Sequence, residues 1–503
     1  MAGLRDRTVS VALRTYDWFE RRLGLTKPLT EAAEHPTPPT SASWFYVFGS
    51  AATVLLMLQV VTGILLALVY TPSAGEAWAS LQFLNHQITL GWFLRAIHGW
   101  GSDFMVAIVL IHMTQVFLFG AYKYPRELTW IIGVFLLLFT LGMAFTGQVL
   151  RFDQDAYWGL GIGASIVSRV PWIGGPLVHM MLGGPIIGGQ TLSRFFALHV
   201  FVIPGLLLAF VAVHVWMVLY LGVNEWPMPG RIVSKATYDR EYHELISKDG
   251  VPFVPDAAWK DAVFAAAILL CVIACALFFG PFGPTGEPDP TIIQTAPKPD
   301  VAFLWIYAVL AYLPPELETP FLFIAPIVVI GGMLLLPLIA GEGEKHWSRR
   351  PIAVLMVAVI AVTLGVLTHL GTYTPWSPVM EAWSGDPTPT DYLKNRSPLE
   401  RQGALVFQNK QCRNCHALGG LGGMRGPALD AIATRMTEDQ MIRQVLQGGG
   451  NMPAYGNALS PAETRALVGF LKTLRGNNLS PAIDASRVLT QANSTAVPTG
   501  QVR

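Results

Sequence analysis

Seven apolar segments, each of 20 to 29 residues, are the strongest constraint on the fold of this chain. They lie at residues 44–70, 92–120, 129–149, 195–221, 260–280, 320–340 and 351–370. A helix of about 20 apolar residues is long enough to span a bilayer, and only 13% of the residues are charged. The sequence therefore predicts an all-α, polytopic membrane helix bundle with seven transmembrane helices.

Basic residues are concentrated in alternate connections between these segments. Those on one predicted side are Arg5, Arg7, Arg14, Arg21, Arg22, Lys27, Lys123, Arg126, Arg231, Lys235, Arg240, Lys248, Lys345, Arg349 and Arg350. The other side holds only Arg151, Arg169, Arg194 and Lys298. The positive-inside rule places the N-terminus in the cytoplasm and, after seven crossings, the C-terminal region outside the bacterial inner membrane. A net charge of +1 gives no electrostatic reason to expect nucleic acid as a partner.

Two apolar segments each contain a pair of histidines at nearly equal spacing. His98 and His112 are fourteen residues apart, and His199 and His214 are fifteen apart. In a helix these spacings correspond to roughly 21–23 Å and bring both members of a pair to nearly the same face. Two such helices side by side would hold a metal between facing imidazoles at two depths, and haem iron is the natural choice. A single histidine of this kind would be better explained as a hydrogen-bonded core residue.

Glycines repeat the same spacing on two other segments. Gly49 and Gly63 are fourteen residues apart on the first, and Gly133 and Gly147 are fourteen apart on the third. A flat macrocycle against a helix backbone needs residues without side chains, so these glycines predict contacts to two stacked haems. Close packing of helices on small residues is the alternative.

One arginine lies shortly before the first histidine of each pair. Arg95 is three residues before His98, and Arg194 is five before His199. Either arginine could bind a haem propionate at the outer level. The alternative is that each anchors its helix at the membrane interface.

A CRNCH motif near the C-terminus is the most specific local signal. Cys412 and Cys415 would form thioether bonds to a covalent haem c, with His416 as an axial iron ligand. A structural zinc site would need a second pair of ligands of similar quality, and the sequence has none. Met452, in GGGNMPAY, is our choice for the sixth ligand, while Met424 is the weaker competing candidate.

Several longer motifs accompany these pairs, among them TYDWFERRLGL, KYPRELTW, TLSRFFALH and a GEPDP loop. With them, residues 10–370 resemble cytochrome b of the cytochrome bc and bf complexes. The resemblance implies a four-helix bundle that holds two non-covalent b haems, His98 with His199 outside and His112 with His214 towards the cytoplasm. The GPAL segment resembles the support of the proximal histidine in class I cytochromes c.

This resemblance divides the chain into six parts. We expect an amphipathic N-terminal segment, a dihaem bundle, a three-helix part with a quinol-site loop, a linker, a monohaem cytochrome c domain and a flexible tail. Their respective ranges are residues 1–43, 44–221, 222–370, 371–398, 399–476 and 477–503.

The resemblance also implies an activity. The family oxidises a membrane quinol at the outer face, sending one electron through a Rieske iron–sulfur protein to a cytochrome c or another acceptor. The other electron crosses the two b haems to a quinone at the inner face, with coupled proton translocation. Further implied partners are the quinone pool, membrane lipid and a second copy of the complex in a homodimer.

The quinol-oxidation motif of this family, Pro-Glu-Trp-Tyr, aligns with Pro299, Asp300, Val301 and Ala302, a register supported by Pro314. Asp300 keeps a carboxylate that could accept a quinol proton and is our candidate catalytic residue. Both aromatic residues are missing, and a solvated loop aspartate is the alternative for Asp300. The loss of these aromatics favours a second function, an electron conduit between the quinone pool and another redox enzyme without bifurcation.

Two further departures from the family concern the cytoplasmic side. Photosynthetic members attach an extra haem through a cysteine where this chain has Val47, so we predict no covalent haem there. The basic residues expected after the fourth segment are replaced around Leu219 and Tyr220. The inner proton donor is unassigned, and Glu225 is a guess.

Overall fold

The chain folds almost entirely into helices. The computed structural model describes residues 2–184, 187–289, 297–313, 315–373, 387–422, 426–447, 452, 455–456 and 458–476. The α-helices are α1 Ala2–Leu23, α2 Thr26–Ala33, α3 Phe48–Ala67, α4 Ala77–His86, α5 Gly91–Leu118, α6 Glu127–Leu150, α7 Gln154–Ser168, α8 Gly174–Leu182, α9 Gly189–Ala197, α10 Ile203–Leu221, α11 Tyr238–Asp249, α12 Phe253–Asp256, α13 Ala258–Phe279, α14 Leu304–Tyr312, α15 Pro315–Ala340, α16 Pro351–Tyr373, α17 Pro398–Asn409, α18 Ile432–Arg435, α19 Glu438–Gln447 and α20 Pro461–Leu471. The strands within these ranges are β1 Pro36–Thr37, β2 Ile232–Val233, β3 Val251–Pro252, β4 Gly343–Glu344, β5 Ala417–Leu418 and β6 Leu421–Gly422. The all-α prediction is confirmed.

Seven helical segments of the described chain are long and apolar enough to cross a membrane. They are Phe48–Ala67, Gly91–Leu118, Glu127–Leu150, Gly189–Leu221, Ala258–Phe279, Leu317–Ala340 and Pro351–Tyr373. Each coincides with one of the seven predicted segments, with ends that differ by a few residues. The chain is a multi-pass membrane protein.

The fourth of these segments contains an irregularity at one predicted site. Helices α9 and α10 are joined by the π-helical turn Leu198–Val202, which includes His199. Pro204, two residues after this turn, has no N–H to bond to the carbonyl of Val200, so the regular hydrogen-bond ladder is interrupted there. Such π-turns are frequent at functional sites.

Helices α3, α5, α6 and α10 form a four-helix bundle. Helix α3 packs against α5, α6 packs against α10, and α5 contacts α6. Leu55, Met105, Ile108 and Leu207 are buried where these helices meet. Helix α13 covers α3 and α5, and α15 packs against α6. The bundle thus places the two histidine-bearing segments and the two glycine-bearing segments in one core.

The connections between the spans divide into two groups. Connections of one group contact other connections of the same group. On what we call the basic face, β1 pairs with β3, β2 pairs with β4, and the Arg126 guanidinium donates to the Gly222 carbonyl. On the opposite face, the Tyr70 hydroxyl donates to the Leu150 carbonyl, and the Thr285 amide donates to Asp153. This alternation agrees with the pattern of basic residues in the sequence.

The long connection after α6 has its own core. It contains α7 and α8, which pack against each other. Trp158, Leu182 and Phe195 are almost fully buried there. The apolar composition of residues 150–193 is therefore explained by a helical hairpin on the opposite face.

The C-terminal region has a separate hydrophobic core around Phe407, Leu418 and Phe470. Helix α17 packs against α20, and each helix begins at a capping box, formed by Ser397 with Glu400 and by Ser460 with Glu463. Residues 374–386 of the predicted linker, the predicted tail (477–503), Met424 and Pro314 lie outside the described residues. The proposed division into six parts stays a prediction.

Candidate haem and quinol sites

The two outer histidines lie close to each other across the bundle. His98 on α5 and His199 in the π-turn have ring centroids 6.4 Å apart, with planes inclined at 78°. Two metal–imidazole bonds of about 2 Å, plus roughly 1 Å from each nitrogen to its ring centroid, give about 6 Å. The separation of the two rings is therefore compatible with one iron ion held between them.

Each predicted glycine lies directly beside one predicted histidine. A Cβ atom placed on Gly63 would lie 3.2 Å from Cε1 of His98, and one on Gly147 would lie 2.8 Å from Cε1 of His199. The inner distances are 3.4 Å from Gly49 to His112 and 3.6 Å from Gly133 to His214. The glycine backbones thus face the imidazole rings themselves, so side chains there would press on the candidate ligands.

The outer imidazoles have hydroxyl partners that sequence reasoning missed. Nδ1 of His98 lies 2.8 Å from Thr62 Oγ1, and Nδ1 of His199 lies 2.9 Å from Thr146 Oγ1. Each threonine immediately precedes an outer glycine, and this Thr-Gly repeat was the available signal. With Nδ1 occupied, each outer histidine has Nε2 left for a metal.

Arg95 and Arg194 both bond to the protein on the opposite face. Arg95 donates to Asn85 Oδ1 at 2.9 Å, to the Phe282 carbonyl at 2.8 Å and to the Gly283 carbonyl. Arg194 donates to the carbonyls of His179 and Met180. These contacts match the alternative that each arginine anchors its helix. A guanidinium has five N–H donors, so donors remain for a haem propionate, and that role stays a prediction.

The CRNCH residues form a close pocket with the segment that follows them. The His416 Nδ1 atom lies 2.8 Å from the Pro427 carbonyl, which leaves Nε2 for iron. Burial lowers the pKa of His416 and so favours the neutral, coordinating imidazole. Any Cβ at Gly426 would overlap the His416 ring, which explains a glycine at this position. Within the described structure neither Cys412 nor Cys415 is in a disulfide, and the two could form the thioether bonds.

Met452 lies at the edge of the C-terminal core that contains CRNCH. The Gln444 side-chain amide donates to Met452 Sδ at 3.7 Å, within the range for a hydrogen bond to sulfur. Gln444 was not identified from the sequence, and it could orient the thioether. Met452 remains our proposed sixth ligand.

Asp300 is neither a free loop residue nor deeply buried. Its Oδ1 atom accepts from Arg151 Nη1 at 3.2 Å, and its side chain is 33% exposed. Its backbone N–H donates to Gln148 Oε1 at 3.3 Å. Burial raises the pKa of Asp300 and outweighs the lowering effect of Arg151, and Asp153 raises the pKa further. The carboxylate is therefore a stronger base than a solvated aspartate.

A second carboxylate beside Asp300 was not identified from the sequence. Asp103 on α5 interacts electrostatically with Asp300 and Arg151, and α5 contacts the 3₁₀ turn Val301–Phe303. The sequence did contain a signal for this residue, because it is acidic, lies inside an apolar span and follows His98 by five positions. Its partners lie far away in the sequence and only the fold brings them together.

Glu225 lies in a buried ionic network on the basic face. It accepts from Lys345 Nζ at 3.0 Å and from the Tyr238 hydroxyl at 2.6 Å, and Arg126 donates to the same hydroxyl. Although burial alone would raise the pKa of Glu225, Lys345 and Arg126 together hold it below its usual value. Burial lowers the pKa of Lys345 to about 8. Glu225 is thus held ionised, and its role as the inner proton donor stays a guess.

The other two departures from the family pattern, at Val47 and around Leu219, differ in their burial. Val47 is buried, with 1% of its surface exposed, whereas Leu219 and Tyr220 are exposed. The absence of a covalent haem at Val47 stays a prediction.

Comparison with known proteins agrees with this geometry. Residues 33–222 match the family model described as "Cytochrome b/b6/petB". Cytochrome b6 of Heliobacterium mobile is 37% identical over 210 residues, which are 42% of this chain and 99% of that protein. The chain belongs to the cytochrome b family.

Two further comparisons extend the relationship beyond residues 33–222. A cytochrome b/c1 of Bradyrhizobium diazoefficiens is 30% identical over 365 residues, which are 71% of this chain and 50% of that protein. A chain from a solved structure described as "Hyperthermophilic respiratory Complex III" matches with a TM-score of 0.62 and 28% identity, covering 72% of this chain and 92% of that one.

The C-terminal region matches a second family. Residues 398–471 match the model described as "Cytochrome C oxidase, cbb3-type, subunit III". The protein is a b-type cytochrome fused to a c-type cytochrome domain, with haem cofactors and an electron-transfer role. The resemblance drawn from the sequence is confirmed.

Proposed function

We propose that this chain is the cytochrome b/c subunit of a bc-type quinol:cytochrome c oxidoreductase in a bacterial inner membrane. It would oxidise membrane quinol at the opposite face, which we take as the outer one, and couple this oxidation to proton translocation. The observation that carries the proposal is the matched set of four histidines and four glycines in the four-helix bundle.

Two non-covalent b haems and one covalent c haem would supply the one-electron chemistry. We assign His98 with His199 to the outer b haem, and His112 with His214 to the inner one. The 6.4 Å separation of the outer rings supports the first assignment. In the C-terminal domain, Cys412 and Cys415 would carry the c haem, with His416 and Met452 as axial ligands.

Asp300 is our candidate for the first acceptor of a quinol proton. Oxidation of a quinol to a quinone releases two electrons and two protons, so the site needs a base as well as electron acceptors. The raised pKa of Asp300 strengthens it as a base, and Arg151 holds the unprotonated carboxylate in place. Protonation would weaken this ion pair and release the Asp300 side chain towards solvent.

The proposed partners follow from this activity. A Rieske iron–sulfur protein would take one electron from each quinol, and a cytochrome c or another acceptor would receive electrons from the C-terminal domain. The related chain described as part of a respiratory Complex III supports assembly with other subunits, and we further propose that the complex is a homodimer.

The competing function is an electron conduit without bifurcation. It is favoured by Val301 and Ala302, which replace two aromatic residues next to Asp300. Against it stand the full set of seven spans and the fused c-type domain.

Purification of the native complex tests the proposal. We expect two b haems for each c haem, a co-purifying Rieske protein, and quinol-dependent cytochrome c reduction that outer-site inhibitors block. A preparation with b haems but no Rieske protein and no inhibitor-sensitive reduction would support the conduit and exclude our proposal.

A further inference from the structure

We propose that Thr62 and Thr146 are positioning residues that hold the proton of each outer imidazole on Nδ1 and thereby lower the reduction potential of the outer b haem. The inference rests on the proposed function in one respect, namely that His98 and His199 bind that haem. It goes further by assigning a role to two hydroxyl groups that do not touch the iron.

The direction of the hydrogen bonds follows from the donors that each hydroxyl has available. Thr62 Oγ1 donates its single proton to the Leu58 carbonyl at 2.6 Å, one turn earlier on α3. The same oxygen lies 2.8 Å from Nδ1 of His98. With the hydroxyl proton directed to a backbone carbonyl, the oxygen accepts from His98, and we infer that Nδ1 carries the proton between the two groups.

Thr146 repeats the arrangement on the other side of the bundle. Its hydroxyl donates to the Gly142 carbonyl at 2.8 Å and lies 2.9 Å from Nδ1 of His199. Both threonines are buried, with 5% of their surface exposed, so water does not compete for these bonds. Two independent helices therefore impose the same tautomer, with the Nε2 lone pair directed at the iron.

The inner pair lacks these hydroxyl groups. The residues immediately before the inner glycines are Phe48 and Ile132, where the outer glycines follow threonines. Among the described residues, Nδ1 of His112 and Nδ1 of His214 have no hydrogen-bond partner of acceptable geometry. The His214 ring interacts with the backbone of Thr129 and with His112, and neither contact is a side-chain hydroxyl. The hydroxyl contacts are thus specific to the outer site.

The expected effect on the haem has a defined sign. An imidazole that donates from Nδ1 becomes a more basic ligand at Nε2 and stabilises oxidised iron over reduced iron. Removing the acceptor should therefore raise the midpoint potential. A tenfold loss of preference for oxidised iron corresponds to a rise of about 59 mV for one electron.

Redox titration of the b haems in the full-length protein tests this inference. Thr62→Val keeps the shape of the side chain and removes the acceptor, whereas Thr62→Ser restores a hydroxyl. Thr140→Val is the matched control, because Thr140 is equally buried on α6 and its hydroxyl bonds only to the Leu136 carbonyl in the described structure. Thr146→Val repeats the test on the second ligand.

We expect both valine variants at the outer site to raise the midpoint potential of one b haem and to shift its absorption band. Thr62→Ser, Thr140→Val and the inner haem should keep wild-type potentials. An unchanged outer potential in both valine variants, with full haem content, would overturn the inference, as would an equal shift in Thr140→Val.

A separate variant tests the assignment of His98 as a haem ligand independently of the role of the threonines. His98→Ala should lose one b haem. If it keeps both, the assignment of His98 is wrong, and the proposed function fails at that point. If it loses one while the valine variants titrate like the wild type, only the role of the threonines is wrong.

Discussion

Replacing Gly147 with alanine should weaken the outer haem site more than the same change at the other three glycines. The new Cβ would lie 2.8 Å from Cε1 of His199, whereas carbon atoms in contact are about 3.5–4.0 Å apart. Overpacking of this kind costs about 1–3 kcal/mol. If the His199 ring takes up the displacement, haem affinity should fall roughly 5- to 150-fold.

The series of glycine variants gives a graded test. From the spacings of 2.8, 3.2, 3.4 and 3.6 Å, haem loss should decrease in the order Gly147, Gly63, Gly49 and Gly133. Gly205→Ala on α10 is the control, because nothing lies within 4 Å of its added Cβ. Helix instability would not explain a loss, since alanine favours a helix by roughly 0.5–1 kcal/mol over glycine.

Haem content per protein, measured by the absorbance of the extracted haem–pyridine complex, is the assay. We expect Gly147→Ala to lose one b haem while the inner b haem and the c haem stay bound. Full b-haem content and an unchanged spectrum in Gly147→Ala would refute the reasoning, and so would an equal loss in Gly205→Ala.

Three other predictions concern single groups. Met452→Ala should change the spectrum and raise or lower the potential of the c haem alone in a redox titration; an unchanged spectrum means that another residue is the sixth ligand. Asp300→Asn should lower quinol oxidation by about 10²–10⁴-fold with normal haem spectra. In the wild type, activity should fall as the pH drops through the raised pKa of Asp300, because only the carboxylate accepts a proton, and wild-type turnover in Asp300→Asn would exclude this role. Glu225→Gln should destabilise the protein by about 3–5 kcal/mol in thermal unfolding, because it leaves the Lys345 ammonium buried without its partner. Since the pKa of Glu225 is lowered in the fold, its contribution is present near neutral pH and is lost as the pH falls through the folded value, so the variant should lack this acid-sensitive step.

The parts of the structure that follow from local sequence patterns could be predicted. The spans are runs of apolar residues with a length set by the bilayer, so their number and approximate ends can be read directly. The spacing of His98 and His112 repeats in Gly49 and Gly63 because both patterns follow one helical periodicity. The c-type domain was recognisable because CRNCH combines three chemical requirements within five residues.

The parts that depend on contacts between distant segments could not be predicted. The ion pair of Lys345 with Glu225 joins two connections of the basic face, and neither segment alone indicates the other. The electrostatic interaction of Asp103 with Asp300 likewise depends on the packing of α5 against the turn before α14. The threonines before Gly63 and Gly147 become informative only when they are compared with Phe48 and Ile132, which precede the inner glycines.

Reduction of the c haem by quinol in the purified complex, with and without the Rieske protein, tests the central claim most directly. A bifurcating quinol oxidoreductase sends electrons to its cytochrome c only through that partner. We therefore predict rapid c-haem reduction in the complete complex, and loss of the rapid phase when the Rieske protein is removed and its recovery when the protein is added back. Equally rapid c-haem reduction without the Rieske protein would contradict the account and identify the chain as a direct electron conduit.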